Sequence, residues 1–310
     1  MSHLRKRENP FEKKEAPVRS EKDNEIARNG DFSKFEISEE TAENLKSNGY
    51  NYLFPIQQNT FNAIFEGHDL IGRDRTGSGK TLAFALPLIE RMRKSGKYFN
   101  DQKGQKPLIL VLVPTRELCI QVTKEFEKLR YTKNEFRIVS VYGGTDIQEQ
   151  IHKLRGGVEV IVGTPGRLMD LQERKVLALS KIRAIILDET DQMLNFGFQE
   201  DIEKILKTAK EDLADEGRKM EEIQFLLFSA TIPRWIENIA SKFMKRDVTR
   251  IDMVKGSDNK TSTTVEHYCM SFPTRNRKYQ LLEMSLWSMV VVTAEQLYLQ
   301  IQRKRPIILC

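Results

Sequence analysis

Cysteine is scarce, and no disulfide framework or zinc site can be built from it. Cys119, Cys269 and Cys310 stand alone and are odd in number, a usage that fits a reducing compartment. The four histidines are scattered and form no metal constellation. No apolar run is long enough to span a bilayer, and the first residues lack the basic-then-apolar pattern of a signal peptide. These absences argue against a disulfide-stapled secreted scaffold and against a membrane partner. No internal repeat is found. What remains is charge: 30% of the residues are Asp, Glu, Lys or Arg, with a net charge of +6, which permits a polyanionic partner without demanding one. A chain of 310 residues can bury one large core, or one core and the start of another.

Residues 1–30 are charged and poor in apolar side chains, and read as a disordered arm. Arg5-Lys6-Arg7 within it fits a solvated tail better than an import signal. From Phe32 onward, short β-rich runs alternate with helical patterns. The runs are Asp69–Gly72, Leu108–Val113, Arg137–Tyr142, Glu159–Val162, Ala184–Leu187 and Phe225–Phe228. Near-continuous apolar strands belong to a parallel sheet covered on both faces. Leu118, Val122, Phe126 and Leu129 recur at helical spacing, as do Ile202, Ile205 and Leu206. Strand–helix alternation predicts a doubly wound α/β domain over residues 31–245. Ser95–Lys106 and Ala209–Glu222 read as polar surface loops, and 246–264 as a linker.

Gly77-Ser78-Gly79-Lys80-Thr81 follows the first apolar run and opens a helical stretch, Leu82–Arg93. That is the context of a phosphate-binding loop, with Thr76 at its entrance. Glycines let backbone N–H groups approach phosphates, and the helix N-terminus favours their charge. Lys80 would meet the β- and γ-phosphates of ATP, and the Thr81 hydroxyl would hold Mg²⁺. About a hundred residues later, Asp188 and Glu189 end a buried strand, where an open α/β sheet forms its ligand crevice. Asp188 suits the Mg²⁺ shell, and Glu189 suits the orientation of the attacking water.

With these two motifs in place, the chain resembles the first RecA-like domain of a DEAD-box RNA helicase, with the motifs in family order over residues 31–280. Phe54-Pro55-Ile56-Gln57 resembles the Q motif, which implies that Gln57 reads adenine and that Phe32, the isolated upstream aromatic, stacks on the base. Pro114-Thr115-Arg116, Gly143-Gly144 and Thr164-Pro165-Gly166-Arg167 match the family's three single-strand-contacting motifs. Ser229-Ala230-Thr231 matches the motif that couples hydrolysis to strand separation. Phosphate contacts of this kind position a strand without reading its sequence. Phe32–Thr41, Leu53–Gln57, Asp191–Leu194 and Val265–Tyr268 look most like the Gu-type nucleolar helicases. That likeness implies a nuclear, nucleolar role in ribosomal RNA processing, by a monomer.

The sequence departs from the family pattern in two places. Asp74 stands at the start of the phosphate loop, where the family usually has a small residue. A carboxylate facing the triphosphate would repel it, and one turned outward would be harmless. Residues 265–288 resemble the start of a second RecA-like domain, but 289–310 lack its strand motif. Back-translated in the neighbouring frame, that tail gives RTIIFTDTKKEAN, which resembles the family's motif IV, so it reads as a frame-shifted second domain. An arginine finger from that domain is worth about 10³–10⁵ in rate, so a chain without it is expected to be weakly active. Two other classes stay open: a non-catalytic ATP- and RNA-binding fragment, and an unrelated P-loop kinase or GTPase, against which the Phe54–Gln57 motif argues.

Overall fold

The computed structural model describes residues 21–96, 106–132 and 135–254, the side chains of 22 and 23 excepted, all within one compact unit. The expectations for 1–20, for 97–105 and for everything after 254, including the second-domain start and the tail, lie outside the described residues. Among the described residues seven strands run in order: β1 (Asp69–Arg73), β2 (Ile109–Leu112), β3 (Ile138–Val141), β4 (Val160–Gly163), β5 (Ala184–Leu187), β6 (Gln224–Ser229) and β7 (Val248–Asp252). Helices α1 (Glu21–Asn29), α2 (Glu39–Ser47) and α3 (Pro55–Glu66) precede β1. Helices α4 (Lys80–Ser95), α5 (Arg116–Lys128), α6 (Ile147–Arg155) and α7 (Pro165–Glu173) each follow a strand, and α8 (Thr190–Asn195), α9 (Gln199–Asp215) and α10 (Arg234–Phe243) complete the set.

The strands form one sheet in the order β3-β4-β2-β5-β6-β1-β7, with every pairing parallel. β2, β4, β5 and β6 are buried along their whole length. Alternate residues of each strand feed two separate apolar clusters, Ile109 and Val111 on one face and Leu110 and Leu112 on the other. That is the arrangement a sheet covered by helices on both sides requires. The doubly wound α/β architecture follows, in agreement with what the resemblance to a RecA-like domain implies.

Three boundaries differ from the sequence expectation. Residues 248–252 are not linker but β7, which pairs with β1 from Asp69↔Val248 to Arg73↔Asp252. Asp69, 1% exposed, anchors its approach by accepting the Lys245 N–H (2.7 Å) and the Phe225 N–H (2.9 Å). The strand carries Arg250, which is paired with Glu237 at 2.7 Å. Charge of this kind is usual on an edge strand, and it hides the strand from a hydropathy reading. Ala209–Asp215 is helix rather than loop, because Ala209 and Leu213 extend the buried stripe of Ile202, Ile205 and Leu206. Within the 1–30 arm, 21–29 is helical, and the Gln58 amide donates to the Ile26 carbonyl at 3.1 Å.

Gly30 shows how tightly this upstream segment is docked. Its carbonyl accepts the Leu53 N–H at 2.8 Å, and a Cβ there would lie 2.1 Å from the Leu53 oxygen. Gly30→Ala is therefore expected to destabilise the domain by about 1–3 kcal/mol, the range for forced overpacking. Chemical denaturation checks this, and an unchanged midpoint would show the segment to be dispensable.

Candidate nucleotide and RNA site

The motif residues that follow β1 lie at the C-terminal ends of the strands, and the strand order sorts them, while Phe32 and Phe54–Gln57 precede β1. β1 delivers the phosphate loop, β6 delivers Ser229–Thr231 and β5 delivers Asp188 and Glu189, three neighbours in the sheet. β2, β4 and β3, the next three along, deliver Pro114–Arg116, Thr164–Arg167 and Gly143–Gly144. The motifs expected to meet nucleotide and those expected to meet RNA therefore occupy adjoining halves of one rim, and β5 sits at the join.

The phosphate loop is held open by its glycines. Gly77 and Gly79 have φ of +79° and +89°, left-handed conformations that cost L-residues energy. Gly79 ends the loop as the N-cap of α4 and supplies no side-chain cap, which leaves the first N–H groups of the helix to a ligand. Lys80 is 6% exposed, and its ammonium donates to the Asp74 carbonyl at 3.1 Å. The Ser78 hydroxyl donates to the Arg75 carbonyl at 2.9 Å. Thr76 is exposed, and Thr81 is half-buried in the first turn of α4.

Gln57 clamps the Q segment to this loop. Its Oε1 accepts the Phe54 N–H at 2.7 Å, and its Nε2 donates to the Gly79 carbonyl at 3.0 Å. Those partners fix the orientation of the amide, and each end keeps one further hydrogen-bonding position. Replacing Gln57 by Glu removes the donor to Gly79 and sets a charge against a carbonyl. A nucleotide titration is expected to show weaker ATP binding, and parental affinity would contradict the clamp.

Phe32 is 5% exposed and packed in the apolar core, which leaves little of its ring open to a base. The open aromatic beside the loop is Phe54, 44% exposed. Its ring edge would lie 3.3 Å from a Cβ on Gly79. The sequence held the signal, an aromatic next to Pro55 at a helix start, where an apolar side chain has no core to enter.

At the end of β5, Asp188 is 2% exposed, and burial pushes its carboxyl up to about 7. Lys80 opposes that rise, while Glu189 and Asp191 add to it. Glu189 is raised as well, by burial first and also by Asp191, again against Lys80. Its backbone is left-handed, with φ 49° and ψ 48°, a conformation costing a non-glycine residue about 1–3 kcal/mol when tightly held. Thr190 is fully buried, and its hydroxyl lies 3.2 Å from the Leu187 carbonyl and 3.1 Å from the Phe228 carbonyl, each within donating distance.

Asp191 joins this loop to the Ser229–Thr231 motif. One carboxylate oxygen accepts both the Thr231 N–H (3.1 Å) and the Thr231 hydroxyl (3.0 Å). The Asp191 N–H donates to the Ser229 hydroxyl at 3.2 Å. Ser229 and Ala230 also face the phosphate loop: their carbonyls accept from the Asp74 N–H (3.1 Å) and from the Arg73 guanidinium (3.1 Å). Reading the sequence assigned no role to Asp191, and only the folded geometry makes it the bridge.

Along the other half of the rim, Arg116, Gly143 and Gly144 are exposed, and Thr115, Gly166 and Arg167 are half-buried. Pro114, Thr164 and Pro165 are buried and shape the loops instead. The Thr115 hydroxyl oxygen caps α5 by accepting the Leu118 N–H at 3.2 Å. The Arg116 guanidinium lies 5.0 Å from the centre of the Tyr142 ring and reaches toward Gly144, whose φ is +80°. Arg167 turns inward and donates to the Thr145 carbonyl at 3.2 Å. Its Nη1 is buried with no hydrogen-bond partner. Arg167 thus braces the glycine turn, while Arg116 is exposed on the rim.

The DEAD/DEAH box helicase family model matches residues 54–239. The chain is 45% identical over 241 residues to ATP-dependent RNA helicase DDX50 of Mus musculus, covering 77% of this chain and 31% of that protein. It is 44% identical over 241 residues to Nucleolar RNA helicase 2 of Rattus norvegicus, covering 77% and 29%. It thus spans about a third of the length of these relatives. Among solved structures, a DEAD box protein from the hyperthermophile Methanococcus jannaschii superposes with a TM-score of 0.61 at 36% identity, over 72% of this chain and 56% of that one. The chain therefore belongs to the DEAD-box branch of the DEAD/DEAH box helicase family, and its described part is the first RecA-like domain.

Proposed function

We propose that this domain binds ATP and a single RNA strand on adjacent halves of one rim and uses ATP hydrolysis to separate RNA strands. The observation that carries the reading is the Asp191 bridge, which ties the acids of β5 to the Ser229–Thr231 loop of β6. A change at the nucleotide therefore has a hydrogen-bonded route out of the phosphate loop.

In this reading the loop N–H groups and Lys80 hold the triphosphate, and Gln57 and Phe54 meet the base. Glu189 orients and polarises the attacking water. The donor set fits Mg²⁺, since Asp188 and Thr81 offer hard oxygens, and burial leaves the Asp188 carboxylate in need of a positive partner. When bound, Mg²⁺ would neutralise phosphate charge. The names of the relatives support RNA as the partner and a nucleolar setting, with ribosomal RNA processing as the proposed role.

Backbone contacts from Arg116, Thr115 and the glycine turn make the RNA interface tolerant of sequence and sensitive to salt. Arg116→Ala is expected to flatten the slope of log affinity against log salt by about 0.7 for single-stranded RNA. Fluorescence anisotropy over a salt series checks it, and an unchanged slope would remove Arg116 from the interface. Strand separation itself is tested by ATP-dependent displacement of a short RNA strand from a duplex with an overhang. Displacement that needs no ATP, or none at any protein concentration, would count against helicase action. The second outcome, with ATP and RNA still bound, would favour a non-catalytic binding fragment.

A further inference from the structure

The phosphate-loop pattern begins with glycine six residues before its lysine, a position that keeps side chains out of the phosphate volume. In this chain that position is Asp74, and its carboxylate is not turned out to solvent: the residue is 9% exposed. Three hydrogen bonds fix its place. The Asp74 N–H donates to the Ser229 carbonyl at 3.1 Å, and its own carbonyl accepts the Lys80 ammonium at 3.1 Å. Its side-chain Oδ1 accepts the Arg75 N–H at 2.7 Å. The main chain is thus pinned on both sides. The carboxylate takes up a loop N–H of the kind that would otherwise be offered to phosphate.

We propose that Asp74 is a resident anion of the phosphate loop, one that lowers the affinity of this chain for ATP and makes binding depend more steeply on Mg²⁺. The inference rests on the ATP-binding reading of the same site. A fixed negative charge several ångströms from the phosphates, in partly screened surroundings, corresponds to roughly five- to tenfold in affinity. The penalty grows with the charge on the tail, so free ATP suffers more than its Mg²⁺ complex, and adenosine suffers nothing. Asp188 and Glu189 follow β5, two strands along the same rim from β1, so Asp74 adds a further negative charge to a rim where Lys80 already opposes the acids.

Titration with a fluorescent ATP analogue, with and without Mg²⁺, and with adenosine as competitor, tests the proposal. Asp74→Asn keeps the side-chain acceptor for the Arg75 N–H and removes only the charge. Asp74→Ala removes both. Both variants are expected to bind ATP about five- to tenfold more tightly than the parent, with a larger gain when Mg²⁺ is withheld and no change for adenosine. Parental ATP affinity in Asp74→Asn would overturn the proposal and leave ATP binding standing. An equal gain for adenosine would also overturn it, since shape rather than charge would then be responsible. If neither parent nor variants bind ATP or adenosine, the inference falls together with the reading beneath it.

Discussion

Glu189→Gln is expected to lower RNA-stimulated ATP turnover by about 10²–10⁴-fold, the range for removing a general base, while ATP affinity stays close to that of the parent. The carboxylate is raised above its ordinary value by burial and by Asp191, and a stronger base takes a proton from water more readily. Its left-handed backbone stands at the N-cap of α8, just past the end of β5, and its carboxylate interacts with Lys80 and Asp191. Glutamine keeps the shape and loses the basicity. Lys80→Ala should differ in kind, lowering turnover and ATP affinity together, because the ammonium would meet the phosphates before and during reaction. Phosphate release and nucleotide titration separate the two patterns. Parental turnover in either variant would contradict the site.

Asp188→Asn is expected to raise stability at pH 8 and to change it little near pH 4. The carboxyl has a folded value of about 7 against an ordinary 3.8, so the folded chain holds its proton more tightly than the unfolded chain. The stability this provides is full below about pH 4 and is lost as pH rises toward 7. The whole swing is at most about 4 kcal/mol. Asparagine is neutral at every pH and escapes the loss. In a domain of this size each kcal/mol moves the melting temperature by roughly 2–4 °C. Melting curves across pH 4–8 should therefore diverge upward in pH, and parallel curves would mean that Asp188 is not the buried charge inferred here. Mg²⁺ with ATP should close the gap by giving the carboxylate its cation.

Much of this was legible in the chain itself. Six strands lie within one residue of their runs at each end, and β2, β4, β5 and β6 are the clearest because burial along their whole length leaves a near-continuous apolar signature. β7 was not legible: Val248-Thr249-Arg250-Ile251-Asp252 is a charged edge strand, held by its register on β1 rather than by its own hydropathy. Ala209–Asp215 hides as a loop in the sequence because its buried positions, Ala209 and Leu213, are spaced among charged neighbours. At the site, motif spacing gave residue identities but not directions. Arg167 turns inward and Phe32 is covered, while Phe54 stays open, since each depends on which neighbour offers a partner or a cavity. Asp74 was the plainest such case, because outward and inward placements have opposite consequences and only packing decides.

The measurement that bears most directly on the central claim is steady-state phosphate release from ATP by this chain, with and without single-stranded RNA, over a range of salt. Coupled sites on one rim should make hydrolysis rise above background when RNA is added, and the increment should shrink as salt rises. A rate indifferent to RNA, in a chain that still binds both ligands, would contradict the coupling and leave a domain that holds ATP and RNA without connecting them.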